Sequence, residues 1–299
     1  MPAYKRPVFI VGMPRSGTTL IQGILCNTGK YFPMPETHFF VWATYGLPEE
    51  NINKKDRKRI QYTLLRKSRI KLDKKLPESL TTKKDIFEHV IDQFNPEGNR
   101  TFLEKTPRHI FFYSKILEYF PDAKFICMIR EPKNMISSQL TTNPQRTKSV
   151  IRLSLLYNKI AAAIVRIRNN NNVFLIKYED LTIETEPIIR HTCEFLNIAF
   201  DSKYVDNVAA PGGIVSEHEF WKNKNIKVGT IQKNNPNKWK QVIDNNQENL
   251  INFITKSYAA QFGYILAHNR NAVFKGFSCD IKKFLLPKEF KKVFKIAHG

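Results

Sequence analysis

The stretch that most constrains the fold is residues 7–27, PVFIVGMPRSGTTLIQGILCN. The apolar run 7–11 is typical of a buried strand, and apolar residues at near-helical spacing predict a helix over 18–27. Between them, Gly12 and Gly17 are separated by four residues, as in phosphate-binding loops. The stretch therefore predicts a strand, a tight loop and a helix whose N-terminus can hold an anion.

The polar residues of this loop suit an anion other than a nucleoside triphosphate. Loops that bind ATP or GTP with Mg²⁺ carry a lysine directly after the second glycine, and Thr18 stands there instead. The positive charge lies three residues earlier, at Arg15. We expect the side chains to add hydrogen bonds to those of the backbone N–H groups. The candidate donors are Arg15, Ser16, Thr18 and Thr19.

Strands alternate with helices along the following part of the chain. Strand patterns occur at 101–104, 124–129 and 173–177, and a helical pattern follows each of them. Alternation of this kind implies right-handed crossovers and a parallel sheet. We therefore predict an α/β fold, in which a P-loop-like parallel β-sheet is flanked by helices.

The length suits one large domain, which we expect to cover residues 1–299. Residues 46–100 are lysine-rich and weakly periodic, which indicates a helical insertion, and the C-terminal part is loop-rich. The segment of about 280–299 is a basic, apolar-rich tail, so we leave peripheral membrane contact open. The N-terminus enters the first strand directly, without a signal peptide's apolar core. We expect a cytoplasmic location, unless an N-terminal anchor was removed.

Composition narrows the partners without choosing one. The net charge of +21 favours an anionic partner, such as a nucleotide, a charged glycan, nucleic acid or an acidic membrane. No signature of a nucleic-acid-binding module accompanies the charge, so we expect no specific nucleic acid. The four cysteines are scattered without CxxC spacing, so neither a disulfide framework nor a zinc site is expected.

The loop GMPRSGTTL, residues 12–20, resembles the 5′-phosphosulfate loop of sulfotransferases, which use 3′-phosphoadenosine 5′-phosphosulfate (PAPS) as sulfuryl donor. Its Pro-Arg form is most similar to the tyrosylprotein and bacterial branches of that family. Arg130, followed eight residues later by Ser138, resembles the family's 3′-phosphate motif. Tyr178 begins a segment similar to the family's Tyr-Glu-Asp element, where the tyrosine lies near the adenine. The resemblance implies that PAPS is the co-substrate and that no metal is required.

Two further assignments rest on the same resemblance. Lys227 lies in a segment similar to the family's C-terminal Arg-Lys-Gly pattern, although Ile226 replaces the arginine, and is a candidate 3′-phosphate ligand. Sulfuryl transfer also needs cations against the charge that develops in the transition state. The resemblance assigns that role to Arg15 and Lys105, each of which follows a predicted strand.

The acceptor hydroxyl needs a general base. Cytosolic relatives use a histidine two residues after the lysine that corresponds to Lys105, but Pro107 occupies that position. The resemblance to the tyrosylprotein-like branch implies that Glu36 is the base, with His38 and His109 as alternatives. Nearby cations would lower the pKa of Glu36 and burial would raise it, and the sequence leaves the balance open.

The expected acceptor is a carbohydrate hydroxyl on a glycan or glycolipid. The aromatic segment 31–45 suits a sugar ring, and the strong positive charge suits a polysaccharide or lipid that is already anionic. The alternative within the enzyme class is a tyrosine in a peptide. Alternatives of other classes are a P-loop nucleotide kinase, which would need the absent lysine and a metal-holding aspartate, and a basic nucleic-acid-binding protein.

Overall fold

A five-stranded parallel β-sheet forms the centre of the protein in the computed structural model, which describes residues 5–72, 75–94, 100–142, 149–206 and 237–285. The strand order is β2-β3-β1-β4-β5, and every neighbouring pair is parallel. This arrangement confirms the predicted α/β fold class. The strands are β1 (Val8–Gly12), β2 (Tyr31–Pro33), β3 (Thr101–Lys105), β4 (Lys124–Ile129) and β5 (Val173–Lys177).

The two faces of the sheet explain why the strands read as continuous apolar runs. All five residues of β1 are buried. Phe9 and Val11 belong to one buried cluster, while Val8 and Ile10 belong to another. Because side chains alternate between the faces of a strand, each cluster lies on one face of the sheet. The sheet is therefore covered on both sides.

Helices cover both faces and fill the crossovers between strands. Their starts are fixed locally: Asn53 and Asp244 each accept a hydrogen bond from the backbone N–H three residues on, in a capping box. The helices in the described ranges are α1 (Thr18–Cys26), α2 (Lys54–Thr63), α3 (Lys83–Asp92), α4 (Tyr113–Tyr119), α5 (Pro132–Thr141), α6 (Val150–Ile167), α7 (Tyr178–Ile183), α8 (Thr185–Leu196), α9 (Lys203–Asp206), α10 (Asn245–Ala260) and α11 (Arg270–Leu285). Turns of π-helix cover Phe39–Ala43 and Leu64–Ser68, and 3₁₀ helices cover Pro107–Phe112 and Lys238–Gln241.

Strand β2 and helix α11 are two of the elements that were not predicted from the sequence. Strand β2 lies in the aromatic segment 31–45, and its three residues are too few to show a strand periodicity. Helix α11 contains Gly276. A Cβ atom there would lie 2.5 Å from the carbonyl oxygen of Asn246, so the glycine allows close packing against α10. Tertiary packing, rather than periodicity, decides both elements.

The described ranges bear on two further expectations. The helical character expected for 46–100 is present in α2 and α3, which lie between β2 and β3. Lys227 and the basic tail beyond residue 285 lie outside the described residues. None of the helices in the described ranges combines the length and the apolar character needed to cross a membrane.

Candidate active site

The candidate residues meet at the carboxyl edge of the sheet. In the strand pairing, Ile10 lies opposite Lys105 and Gly12 opposite Met128, so β3 and β4 flank the loop that follows β1. Ligands of α/β sheets bind at this edge. Each of the five strands ends next to one candidate residue; in sheet order these are Glu36, Lys105, Arg15, Arg130 and Tyr178.

The loop after β1 is closed tightly against β4. Gly12 has φ +112°, and a Cβ atom on it would lie 2.3 Å from the carbonyl oxygen of Met128. That same oxygen accepts a hydrogen bond from the Met13 N–H at 2.8 Å. Gly17 has φ +81° and caps the N-terminus of α1. Both positions require glycine, which explains the spacing seen in the sequence.

The polar residues of the loop divide into internal and outward groups. The buried Ser16 hydroxyl donates to the carbonyl oxygen of Met13 at 2.5 Å, so its proton is used within the loop. Ser16 can then contribute to anion binding through its backbone N–H. Thr18 and Thr19 form the first turn of α1, where N–H groups are not used within the helix. Arg15 is exposed and adopts a left-handed backbone conformation, with φ +66°.

The three sequence motifs come together around Arg15. Its Nε donates to the Ser138 Oγ at 3.1 Å, and its carbonyl oxygen accepts from Arg130 Nη1 at 3.0 Å. The Arg130 guanidinium lies 4.0 Å from the centroid of the Tyr178 ring. The same ring lies against Gly17, where a Cβ atom would come within 2.6 Å of it. Two guanidinium groups, a hydroxyl and an aromatic ring therefore form one cluster suited to phosphate groups and a purine.

A partly buried hydrogen-bond network holds this cluster in place. Glu179 accepts the backbone N–H of Glu131 at 3.1 Å and the Tyr264 hydroxyl at 2.7 Å. Because Glu131 follows Arg130 and Glu179 follows Tyr178, this carboxylate ties together the ends of β4 and β5. Glu179, the glutamate of the Tyr-Glu-Asp element, thus has a structural role, next to the tyrosine that is the candidate adenine contact.

Glu36 and Lys105 form an ion pair at the same edge of the sheet. Lys105 Nζ lies 2.8 Å from Glu36 Oε1, and His38 Nε2 lies 3.2 Å from Glu36 Oε2. The Lys105 side chain is 2% exposed and that of Glu36 is 31% exposed. Burial opposes the ionisation of Glu36, but the charges and hydrogen bonds of Lys105 and His38 outweigh it and hold its pKa well below the usual range. Glu36 is therefore a carboxylate at neutral pH.

The two histidines occupy different environments. The His38 ring lies 3.9 Å from the centroid of Trp42 and holds the second oxygen of Glu36. His109 is fully buried, with Nδ1 3.0 Å from Glu104 Oε2. In this arrangement His109 has no surface at which to contact an acceptor. Glu36 combines partial exposure with two fixed hydrogen bonds.

Glu104 was not predicted as a site residue, yet it positions the ion pair between Glu36 and Lys105 through the residues next to them. The buried carboxylate accepts the Thr37 N–H at 3.3 Å, the Thr37 hydroxyl at 2.9 Å and the Thr106 hydroxyl at 2.5 Å. Thr37 adjoins Glu36, and Thr106 adjoins Lys105, so one carboxylate positions both partners. Burial opposes the charge of Glu104, but His109 and the hydroxyl donors prevail and lower its pKa. The available signal was an acid inside an otherwise buried strand.

Replacing Glu104 by Gln is expected to lower the free energy of unfolding by about 1–3 kcal/mol, since an amide cannot accept all these hydrogen bonds. The pKa of Glu104 is lower in the folded state, so its stabilisation is present above the unfolded pKa and is lost as pH falls through the folded pKa. The difference in the free energy of unfolding between the variant and the wild type should therefore become smaller in acid. Urea unfolding at neutral and acidic pH measures it.

A matched control for that experiment is Glu186→Gln, which removes an exposed pair with Arg190. Exposed pairs contribute about 0–1 kcal/mol, so this change should be small. Equal stabilities of the Glu104 variant and wild type at neutral pH would contradict the assigned role.

A family model and two solved structures that match this chain all describe sulfotransferases. A model described as the sulfotransferase family matches residues 7–202. Two solved structures have the same fold: the sulfotransferase domain from the curacin biosynthetic pathway and that from the Synechococcus PCC 7002 olefin synthase. Each is 20% identical with a TM-score of 0.59; the matches cover 88% and 89% of this chain and 99% and 98% of those chains.

A curated relative is matched over part of its length. An uncharacterized protein of Aquifex aeolicus (strain VF5) is 25% identical over an alignment of 219 residues, and the match covers 68% of this chain. The match covers 27% of that protein, so the chain spans little more than a quarter of the relative's length.

Proposed function

The chain belongs to the sulfotransferase family, and from this premise we propose that it transfers the sulfuryl group of PAPS to a hydroxyl of a glycan or glycolipid. The observation that carries the proposal is the convergence at one sheet edge of three groups. These are the loop after β1, the cluster around Arg15 and the Glu36–Lys105 pair.

The first two groups support the donor. The loop N–H groups and the N-terminus of α1 suit the 5′-phosphosulfate, because both present partial positive charge. Arg130 and Ser138 suit the 3′-phosphate, and Tyr178 offers its ring near the adenine. Arg15 is bonded to both Arg130 and Ser138, so it links the two ends of the donor site. Chemically, PAPS supplies the activated sulfuryl group and adenosine 3′,5′-bisphosphate as the leaving group.

The third group supports the proton transfer. A carboxylate with a strongly lowered pKa is a weak base. Burial raises the pKa of Glu36, and Lys105 is the main group that lowers it. When the donor is bound, its sulfuryl oxygens compete with Glu36 for the Lys105 ammonium. A shift of that hydrogen bond would raise the pKa of Glu36, while the ammonium stabilises the developing charge.

The transfer step is balanced as follows. The acceptor oxygen forms a bond to sulfur as its proton passes to Glu36, and the bond from sulfur to the 5′-phosphate oxygen breaks in line with it. The leaving bisphosphate takes the electron pair of that bond. Arg15 and Lys105 face the charge that develops on the transferred group.

The surroundings of Glu36 support a carbohydrate acceptor. Trp42 is half-buried and lies against His38 with the two rings tilted by 37°, and His38 in turn contacts Glu36. An aromatic face next to the general base suits the apolar face of a sugar ring. Transfer of ³⁵S from labelled PAPS to a panel of glycans, glycolipids and tyrosine peptides tests this choice. Labelling confined to tyrosine peptides would replace the proposed acceptor by the alternative.

The donor is tested by thermal-shift titration with adenosine 3′,5′-bisphosphate, in parallel with ATP in the presence and absence of Mg²⁺. A ligand at a hundredfold excess over its Kd stabilises by about 2.7 kcal/mol, which for a chain of this size means a shift of roughly 5 °C. We expect the bisphosphate to produce this shift without metal. A larger shift with ATP and Mg²⁺ would instead indicate a triphosphate site.

A further inference from the structure

We propose that Arg108 and Lys159 form a subsite for an anionic group of the acceptor, such as a carboxylate, sulfate or phosphate, next to Glu36. The inference rests on the proposed sulfotransferase function, since it assigns the anion to the acceptor. It narrows the substrate class from hydroxyl-bearing glycans in general to those that already carry negative charge.

Arg108 is placed at the site by the strand before it. The 3₁₀ helix Pro107–Phe112 begins two residues after Lys105, so Arg108 lies at the carboxyl edge of the sheet. Burial lowers the pKa of Arg108, and the carboxylate of Glu36 partly restores it. The guanidinium therefore lies within the electrostatic reach of the candidate base. That carboxylate is already bonded to Lys105 and His38.

Lys159 reaches the same place from α6, which packs against this 3₁₀ helix. Its Nζ is shielded from solvent and has no hydrogen-bond partner within the part of the chain that the structure describes. The ammonium lies 5.1 Å from the centroid of Phe111, on the same 3₁₀ helix as Arg108. Burial and the charge of Arg108 both lower the pKa of Lys159. The charged group that acts on Lys159 is thus another cation.

The charges here do not balance. Lys105 pairs with Glu36, and Arg108 lies within electrostatic reach of the same carboxylate, whereas the charge that acts on Lys159 is that of Arg108. A shielded ammonium without an acceptor is unfavourable, and a second cation beside it adds to the cost. A bound anion would satisfy the Lys159 donor and relieve the repulsion from Arg108.

The acceptor is the more suitable source of that anion. The phosphate groups of the donor have a separate set of ligands in the loop after β1 and around Arg130. The Arg108–Lys159 subsite instead adjoins Glu36, which must face the reacting hydroxyl. An acidic sugar, or a glycan or lipid that already carries sulfate or phosphate, would place its charge there. The net charge of +21 would favour approach of such an acceptor.

The test uses inorganic sulfate as the probe and protein saturated with adenosine 3′,5′-bisphosphate, so that the donor site is filled. Isothermal titration is carried out at constant ionic strength with wild type, Lys159→Gln and Arg108→Gln. We expect wild type to bind sulfate and each variant to lose about tenfold or more in affinity, as expected for one charge-assisted hydrogen bond. The control is Arg166→Gln, which removes an exposed cation from the same helix and should bind as wild type does.

A second measurement separates binding from folding. Because Lys159→Gln removes a shielded, unpaired charge, the unliganded variant should melt no earlier than wild type. A clearly lower melting temperature would show that the lysine serves the fold and would overturn the proposal.

The remaining outcomes are equally decisive. Absence of sulfate binding to the bisphosphate-saturated wild type, or unchanged affinity in both variants, would overturn the subsite. Weaker bisphosphate binding in the two variants would assign them to the donor and also overturn it. If wild type fails to bind the bisphosphate, the proposed function fails instead. Sulfate titration without the bisphosphate then still tests whether Lys159 and Arg108 bind an anion.

Discussion

Replacing Glu36 by Gln is expected to reduce kcat for sulfuryl transfer by about 10²–10⁴-fold, the usual contribution of a positioned general base. The amide keeps the shape of the side chain but cannot accept the acceptor's proton. Binding of adenosine 3′,5′-bisphosphate should stay nearly unchanged, because the residues proposed to bind it lie after β1, β4 and β5. Initial rates with labelled PAPS and a bisphosphate titration of the same preparation measure the two effects.

The pH dependence adds an independent check on the base. The pKa of Glu36 lies below its usual range, so the carboxylate stays ionised from neutral pH down through mild acid. Activity of the free enzyme should therefore hold between about pH 8 and pH 5.5, whereas a histidine base with an ordinary pKa of about 6.5 would lose activity there. Near-normal turnover by Glu36→Gln, or a loss centred near pH 6.5, would move the assignment to His38.

Replacing Arg130 by Gln is expected to weaken binding of adenosine 3′,5′-bisphosphate by about 10–100-fold, because a charged hydrogen bond contributes about 1.5–3 kcal/mol. Binding of adenosine 5′-monophosphate should change much less, because that ligand lacks the 3′-phosphate. Arg130→Lys should resemble Arg130→Gln, since lysine has neither the planar fork nor the stack on Tyr178. Isothermal titration with both nucleotides measures the difference.

A surface arginine in a similar setting provides the control. Arg190 lies 4.1 Å from the centroid of the Phe200 ring and pairs with Glu186. Unlike Arg130, it does not directly follow a strand but lies in the middle of helix α8. Arg190→Gln should leave both nucleotide affinities unchanged. An equal loss of both nucleotides in Arg130→Gln would show that Arg130 organises the loop rather than binding the 3′-phosphate.

The elements predicted well are those whose signal is local. The loop between Gly12 and Gly17 and the four longer strands follow from residues that are close in the chain. Strand β2 and helix α11 were missed because each depends on contacts made elsewhere: β2 pairs with β3, and α11 packs through Gly276 on α10. A strand of three residues has too little local signal to predict.

The same division applies to the site. The resemblance of the motifs named Arg15, Arg130 and Glu36, yet it gave no distance between them. Glu104 escaped notice because a single acid in a strand has no motif, although its four hydrogen bonds fix both members of the ion pair. Lys159 escaped notice because it lies on a long helix without any pattern that distinguishes it from a solvated lysine.

The sequence by itself determined the parallel α/β fold, the tight loop between Gly12 and Gly17, and the family. These depend on glycines with positive φ, on strand and helix periodicity, and on short motifs, all of which are encoded over a few residues. Only the tertiary structure decided that Glu36 is ionised beside Lys105, that His109 is fully buried and that the Lys159 ammonium has no hydrogen-bond partner among the described residues. Charge interactions and burial depend on distances between residues far apart in the chain, and folding sets those distances.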